Sequence, residues 1–296
     1  MRTLTTTPEP AESPVRPAIS TCIVLRRRCP KGSIKMIYAE KKIDSGDMRE
    51  LLFYPVQPSG RLMPGTEPKT KGSREAQIKY NLKKAELELV RRVNANFTTG
   101  DIFMHLTYDD DNPNMPKDYD EARKVITAYL RRVRKWRNEN GYPEMKYIYV
   151  IEEQERKSGK LAGRKVYHYH LFMSEMPRDV AEDLWIHGER VNADRFQPWR
   201  FGQEAAARYM SKAPLGKKRF VCSRNCKKPV IHEPKITPMS DRRMRSMAEL
   251  HIDDAAYWER RAPGYVFCGA KAVWNERNSR YYIRATFRKL DGERRM

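Results

Sequence analysis

Apolar and polar positions along this chain change their period several times, and each change marks an element. Residues 21–25 and 35–39 are short β-type runs separated by Pro30, Lys31, Gly32 and Ser33, and residues 51–56 read as a third strand. Residues 58–72 hold three prolines and three glycines, which predicts a loop. From Ser73 onward Ile78, Leu82, Ala85, Leu89 and Val93 recur at helical spacing, predicting a helix that ends between Asn94 and Gly100. Residues 101–108 (DIFMHLTY) suit a central strand. Asp118 is placed to cap a long amphipathic helix running to Asn138. Its apolar face carries Ala122, Val125, Ile126, Tyr129, Leu130, Val133 and Trp136. Its other face carries Arg123, Lys124, Arg131, Arg132, Arg134, Lys135 and Arg137, all of one sign.

Residues 146–152 (KYIYVIE) and 165–173 (KVYHYHLFM) read as the two strands of a long hairpin, with Gly159 and Gly163 in the turn. A short helix is expected near 178–186, a strand over 190–196, and a helix over 203–213 stopped by Pro214. A strand at 219–223, a helix near 241–250 and a β-rich stretch over 264–287 complete the pattern. Strands and helices mix without regular βαβ alternation, which predicts an α+β fold with a central antiparallel sheet flanked by helices. The expected organisation is a flexible, proline-rich tail (1–18), a β-rich N-terminal segment (19–72), a core (73–235) and a C-terminal α/β extension packed on that core (236–296).

Charge sharpens this picture. The 296 residues carry 59 Lys and Arg against 38 Asp and Glu, a net charge of +21. A balance this basic favours phosphate-bearing partners. The longest apolar run is five residues, Tyr147 to Ile151, so no membrane helix is expected. The N-terminus has no apolar stretch of signal-peptide type. Five cysteines at irregular spacing suit reduced thiols, so a cytoplasmic setting is expected. Cys222-x3-Cys226 with His232 nearby lacks a clear fourth ligand for a structural zinc.

The candidate chemistry lies in the hairpin. In a strand, residues two apart share a face, so His168 and His170 project together, with Phe172 continuing that side. Two such imidazoles can chelate one divalent cation, and a carboxylate is the natural third ligand. Glu152 on the partner strand is favoured. Glu153 stays open, because a bulge would exchange the two faces. Tyr209 follows His170 by 39 residues, with Lys212 one helical turn further on. A phenol is a weak nucleophile at neutral pH, and a nearby ammonium and a metal-polarised phosphate are the two aids it would need.

YHYHLF beside YVIEEQ, FMHLTYDD before them and AARYMSK after them resemble the HUH endonucleases, in which U is a hydrophobic residue. Among these the chain looks most like the rolling-circle replication initiators of bacterial plasmids, integrated elements and small single-stranded DNA phages. FMHLTY matches the FxTLTY-type strand, HYH the metal motif, and Tyr209-x-x-Lys212 the nucleophile helix. The resemblance covers roughly residues 73–290. It departs at His105, where the family usually has Thr or Ser, and in the longer hairpin between Glu152 and His168.

The resemblance implies nicking of single-stranded or extruded origin DNA. Mg²⁺ or Mn²⁺ held by His168, His170 and Glu152 would polarise the scissile phosphate. Tyr209 would attack with help from Lys212, leaving a 5′-phosphotyrosine and a free 3′-OH. DNA contacts are expected from Thr107, Arg132, Lys135, Arg164 and Arg208, with the basic surfaces flanking the metal and the tyrosine. No GxxxxGK[ST] occurs, so a host helicase and a host polymerase in a bacterial cytoplasm are the implied partners. The alternatives are an HUH-type single-strand DNA transposase and a non-enzymatic nucleic-acid-binding protein.

Overall fold

A computed structural model describes residues 37–56, 74–109, 112–156, 162–188, 191–195 (by their backbone), 201–210, 219–276 and 278–290. The expected tail, the strand at 21–25, the loop at 58–72 and Lys212 lie outside these residues.

The first two strands are longer than their apolar runs. β1 (Ile37–Ser45) and β2 (Met48–Val56) pair antiparallel around a two-residue turn, Gly46-Asp47. Gly46 sits at φ 61°, and a Cβ there would run into the Asn94 carbonyl of the following helix. That helix, α1 (Arg74–Asn96), buries only its C-terminal half, through Leu89, Val90 and Val93, while Ile78 and Tyr80 are exposed. β3 (Ile102–Leu106) follows, and then α2 (Tyr119–Glu139). The Asp118 carboxylate accepts from the Glu121 backbone N–H at 2.8 Å, satisfying one of the helix's free donors.

β4 (Tyr147–Glu155) and β5 (Lys165–Met173) form the expected hairpin. The next elements are α3 (Arg178–Asp183), β6 (Val191–Arg195), α4 (Glu204–Met210) and the short strands β7 (Val221–Cys222), β8 (Val230–Ile231) and β9 (Lys235–Thr237). Two helices, α5 (Asp241–Glu249) and α6 (Ala255–Glu259), precede a closing hairpin of β10 (Tyr265–Asn275) and β11 (Arg280–Lys289). The fold is α+β, and no helix of the described residues is long and apolar enough to cross a membrane.

Pairing is antiparallel throughout and builds two sheets. One has the order β6-β3-β5-β4-β7. The other runs β10-β11-β2-β1-β8, with β9 also on β1, so strands from the two ends of the chain share it. Alternation divides the first sheet cleanly. Tyr167, Tyr169, Leu171 and Met173 pack with Ile102, Met104 and Leu106 beneath α2 and Trp185. The opposite face offers Ile148, Val150 and Phe172 to Leu89, Val90, Val93 and Phe97 of α1 and to Ala207 and Met210 of α4. The second sheet buries Leu51, Phe53, Ile283, Ala285 and Phe287 under Trp258, Met244 and Met247. From its other face Glu50 receives two hydrogen bonds from Arg91 of α1, at 3.0 and 2.8 Å. α1 therefore packs between the two sheets.

Arg137 corrects the helical reading of α2. It does not belong to the solvated basic face but is 2% exposed. Its guanidinium donates to the carbonyls of Glu175 (2.5 Å) and Pro143 (3.0 Å) and lies 5.1 Å from the Tyr142 ring. Charge-assisted bonds of this kind hold the chain leaving β5 against the end of α2. Arg137→Ala should cost about 3 kcal/mol of stability, because it strands buried carbonyls and opens a cavity. Urea unfolding midpoints measure this, and a loss under ~1 kcal/mol would mean that water replaces the guanidinium.

Candidate active site

Three adjacent strands bring a polar cluster onto the α1/α4 face of the first sheet. β5 is central, with β4 on one side and β3 on the other. Across the β4–β5 ladder Glu152 stands opposite His168, and across the β3–β5 ladder His105 stands opposite His170. The shared parity makes all four side chains converge. Glu152 Oε2 lies 3.0 Å from His168 Nε2 and 2.9 Å from His170 Nε2. The His105 ring stacks on His170 with centroids 4.6 Å apart and planes 4° from parallel, and it meets the His168 ring edge-on at 5.0 Å. One ligand nitrogen from each of the three histidines lies within 4.8 Å of the others.

This set fits a divalent cation. An octahedral site with bonds of about 2.1 Å has edges of about 3.0 Å, the separation already present between Glu152 and both imidazoles. Among the described residues His105 Nε2 is also buried without a hydrogen-bond partner, which leaves it open to a cation. Glu153 is engaged elsewhere. Its carboxylate pairs with Lys165 at 2.6 Å and accepts from the Tyr167 hydroxyl at 3.2 Å, on the opposite side of the strand. Among the described residues no other cluster of three potential ligands comes together. His232, for its part, bonds Asp44 at 2.8 Å.

Electrostatics keep the imidazoles neutral. Burial pulls His168 and His170 below the ordinary imidazole range, against the opposing pull of Glu152. Burial, with the neighbouring His170 and His168, takes His105 down to about 4. Burial raises Glu152, but the hydrogen bond from His170 and the electrostatic attraction of the two imidazoles outweigh it and leave the carboxyl below its usual range. Neutral imidazoles beside a carboxylate are the protonation states that metal binding requires. They also make the metal-free protein acid-sensitive. Between the ordinary value of 6.5 and about 4 the unfolded chain binds more protons at His105, so stability falls as pH falls through that window. His168 and His170 add in the same direction, and the lowered Glu152 adds a loss at lower pH. Melting temperatures in chelator from pH 7 to pH 4 should show this decline. A flat profile would mean the imidazoles are not desolvated.

Tyr209 lies against this cluster. Its ring meets His170 edge-on, with centroids 5.1 Å apart and planes at 87°, and it is 47% exposed. α4 holds it there from beneath through buried Ala207 and Met210. Just before α4, the Gln203 backbone N–H donates to Asn94 Oδ1 at 2.9 Å, and Gly202 at φ 61° lets the chain pass between Asn94 and Met48. Arg208 is tied to Glu86 of α1 and donates to Glu204 at 2.7 Å, so its guanidinium secures α4 to α1.

The expected DNA contacts are not brought together. α2 lies across the sheet from the histidines, so its basic face does not flank them as the sequence reading expected. There Arg132 donates to the Leu184 carbonyl at 3.0 Å, and Lys135 is largely exposed beside Glu139. Thr107 follows β3, with its carbonyl accepting from the Trp185 indole at 2.7 Å. Arg164 is exposed on the β4–β5 hairpin, its carbonyl bonded to the Arg156 backbone N–H at 3.0 Å. Sequence reasoning missed His105 as part of the cluster and Arg156 as a charge acting on His168. The alternation of Phe103 and His105 was a usable signal for the former, but the strand pairing that seats it was not.

No curated protein and no solved structure matches the chain. Residues 101–214, which contain His105, Glu152, His168, His170 and Tyr209, match a family model described as a replication-associated protein, and over that segment the chain is similar to replication-associated proteins.

Proposed function

We propose that this protein is a rolling-circle replication initiator of the HUH type, which nicks single-stranded origin DNA with Tyr209. The observation that carries the reading is the contact of the Tyr209 ring with His170, beside the carboxylate-bridged histidine pair. The replication-associated family match over the same residues supports it.

His168, His170 and Glu152 would hold a divalent cation, which would supply charge neutralisation at the scissile phosphate. Tyr209 Oη, half-exposed at the rim, attacks phosphorus in line. The Oη–P bond forms as the bond from phosphorus to the 3′ oxygen breaks. The phenolic proton passes to solvent, and the departing 3′ oxygen takes one up. The product is a 5′-phosphotyrosine with a free 3′-OH, and because one phosphoester replaces another, the reversal needs no added energy source. Lys212, two residues beyond α4, is assigned to the phosphate or the phenolate. The neutral His170 ring fixes the edge of the Tyr209 ring, and the α4–α1 ion pair of Arg208 with Glu86 limits its travel.

The 3′-OH would prime a host polymerase, and strand separation would fall to a host helicase. Incubation with single-stranded oligonucleotides and Mn²⁺ should give a denaturation-resistant protein–DNA adduct that carries the fragment on the 3′ side of the cut, joined through its 5′ phosphate. Binding of DNA without any adduct, over a pool that covers the element's own origin, would leave the nucleic-acid-binding alternative standing.

A further inference from the structure

We infer that His105 is a further ligand of the metal site, and that three imidazoles and one carboxylate make it a site for a nitrogen-preferring transition cation rather than Mg²⁺. The inference rests on the metal-site half of the reading above.

Three observations carry it. First, His105 shares face and register with the pair, so its ring approaches from β3 while Glu152 approaches from β4. Second, one nitrogen of each of the three histidines falls within 4.8 Å of the other two, so rotation of the stacked His105 and His170 rings would turn their lone pairs onto one cation. Third, among the described residues His105 Nε2 is buried with no hydrogen-bond partner. If packing were the purpose, the stack of His105 on His170 at 4.6 Å could be made by a phenyl ring without the cost of an unpaired polar atom. A bound cation gives that nitrogen a partner.

Donor chemistry then decides the cation. Mg²⁺ prefers oxygen ligands and keeps several waters, whereas imidazole suits Zn²⁺, Co²⁺ and Fe²⁺, and Mn²⁺ tolerates a mixed set. A site with two imidazoles and a carboxylate leaves most positions to water and phosphate oxygen. A third imidazole moves the balance toward nitrogen.

The test uses the full chain without DNA. Calorimetric titration should give Co²⁺ and Zn²⁺ affinities at least ~100-fold above that of Mg²⁺. His105→Phe keeps the ring stack and removes the donor; it should weaken Co²⁺ and Zn²⁺ by about 10- to 100-fold, change the visible Co²⁺ spectrum and leave weak Mg²⁺ binding unchanged. Pulsed electron paramagnetic resonance of the Mn²⁺-loaded wild-type protein counts bound imidazole nitrogens without any variant, so a poorly folded His105→Phe protein does not stall the test. Three imidazoles are expected. A count of two, wild-type Co²⁺ affinity in His105→Phe, or Mg²⁺ bound as tightly as Co²⁺ would each overturn the inference. Nicking with two bound imidazoles sinks this inference alone, whereas three bound imidazoles without nicking sink the nuclease reading alone.

Discussion

Tyr209→Phe should abolish covalent adduct formation and nicking, by at least ~10³-fold, while leaving the fold and DNA binding intact. The substitution removes one oxygen. The ring stays, so its edge-on contact with His170 and the buried Ala207 and Met210 beneath α4 are preserved. With Tyr209 at 47% exposure, the stability change should stay within about 0.5 kcal/mol. Circular dichroism and thermal melting establish that the variant is native-like, and a filter-binding titration establishes its affinity for single-stranded DNA. Residual adduct at the wild-type rate would move the nucleophile to another tyrosine. Of the alternatives, Tyr281 donates its hydroxyl to Glu249 at 2.7 Å and lies on the second sheet, which makes it a poor substitute.

Glu152→Gln has the second largest expected effect. The side chain keeps its shape and can still bond His168 and His170, but the site loses its only carboxylate that touches both imidazoles. Cation affinity should fall on the order of 100-fold and nicking should fall with it, with recovery at high cation concentration. That recovery distinguishes a ligand from a residue needed for the bond-making step itself. The charge also steadies any protonated imidazole beside it, so the neighbouring histidines should take up protons at still lower pH in the variant. Glu153→Gln is the natural comparison. It should leave cation binding unchanged, because Glu153 is paired with Lys165 and Tyr167 on the other side of the strand.

The position of the charge bears on how DNA would lie on the protein. The net +21 is large, but several arginines, Arg208 of the expected DNA contacts among them, are spent inside the fold. Arg137 is buried among carbonyls, Arg208 is paired with Glu86 and Glu204, and Arg91 is held by Glu50. The basic face of α2 lies beyond the sheet from the histidines. Arg156 is better placed, since its charge acts on the His168 imidazole.

Local physics made much of this molecule legible in the chain alone. The 3.6-residue periodicity of α2, its Asp118 cap and the strict alternation of β4 and β5 follow from neighbours in sequence, so sequence determined those elements and the shared face of His168 and His170. The sequence favoured Glu152 but left Glu153 open, because a bulge would exchange the two, and the regular β4–β5 register is what sets Glu152 opposite His168. What required the tertiary structure was everything set by distant pairing. The seating of His105 opposite His170 depends on the β3–β5 register, joined across more than 60 residues. The sharing of one sheet by β2 and β11 depends on contacts between the two ends of the chain. The destination of each arginine depends on which carboxylates and carbonyls the fold brings to it. Periodicity reports which side of an element is apolar, but not what the other side will meet. For that reason the sequence determined the histidine pair and named Tyr209 through resemblance, and only the folded chain set Glu152 opposite His168 and the His105 and Tyr209 rings against His170.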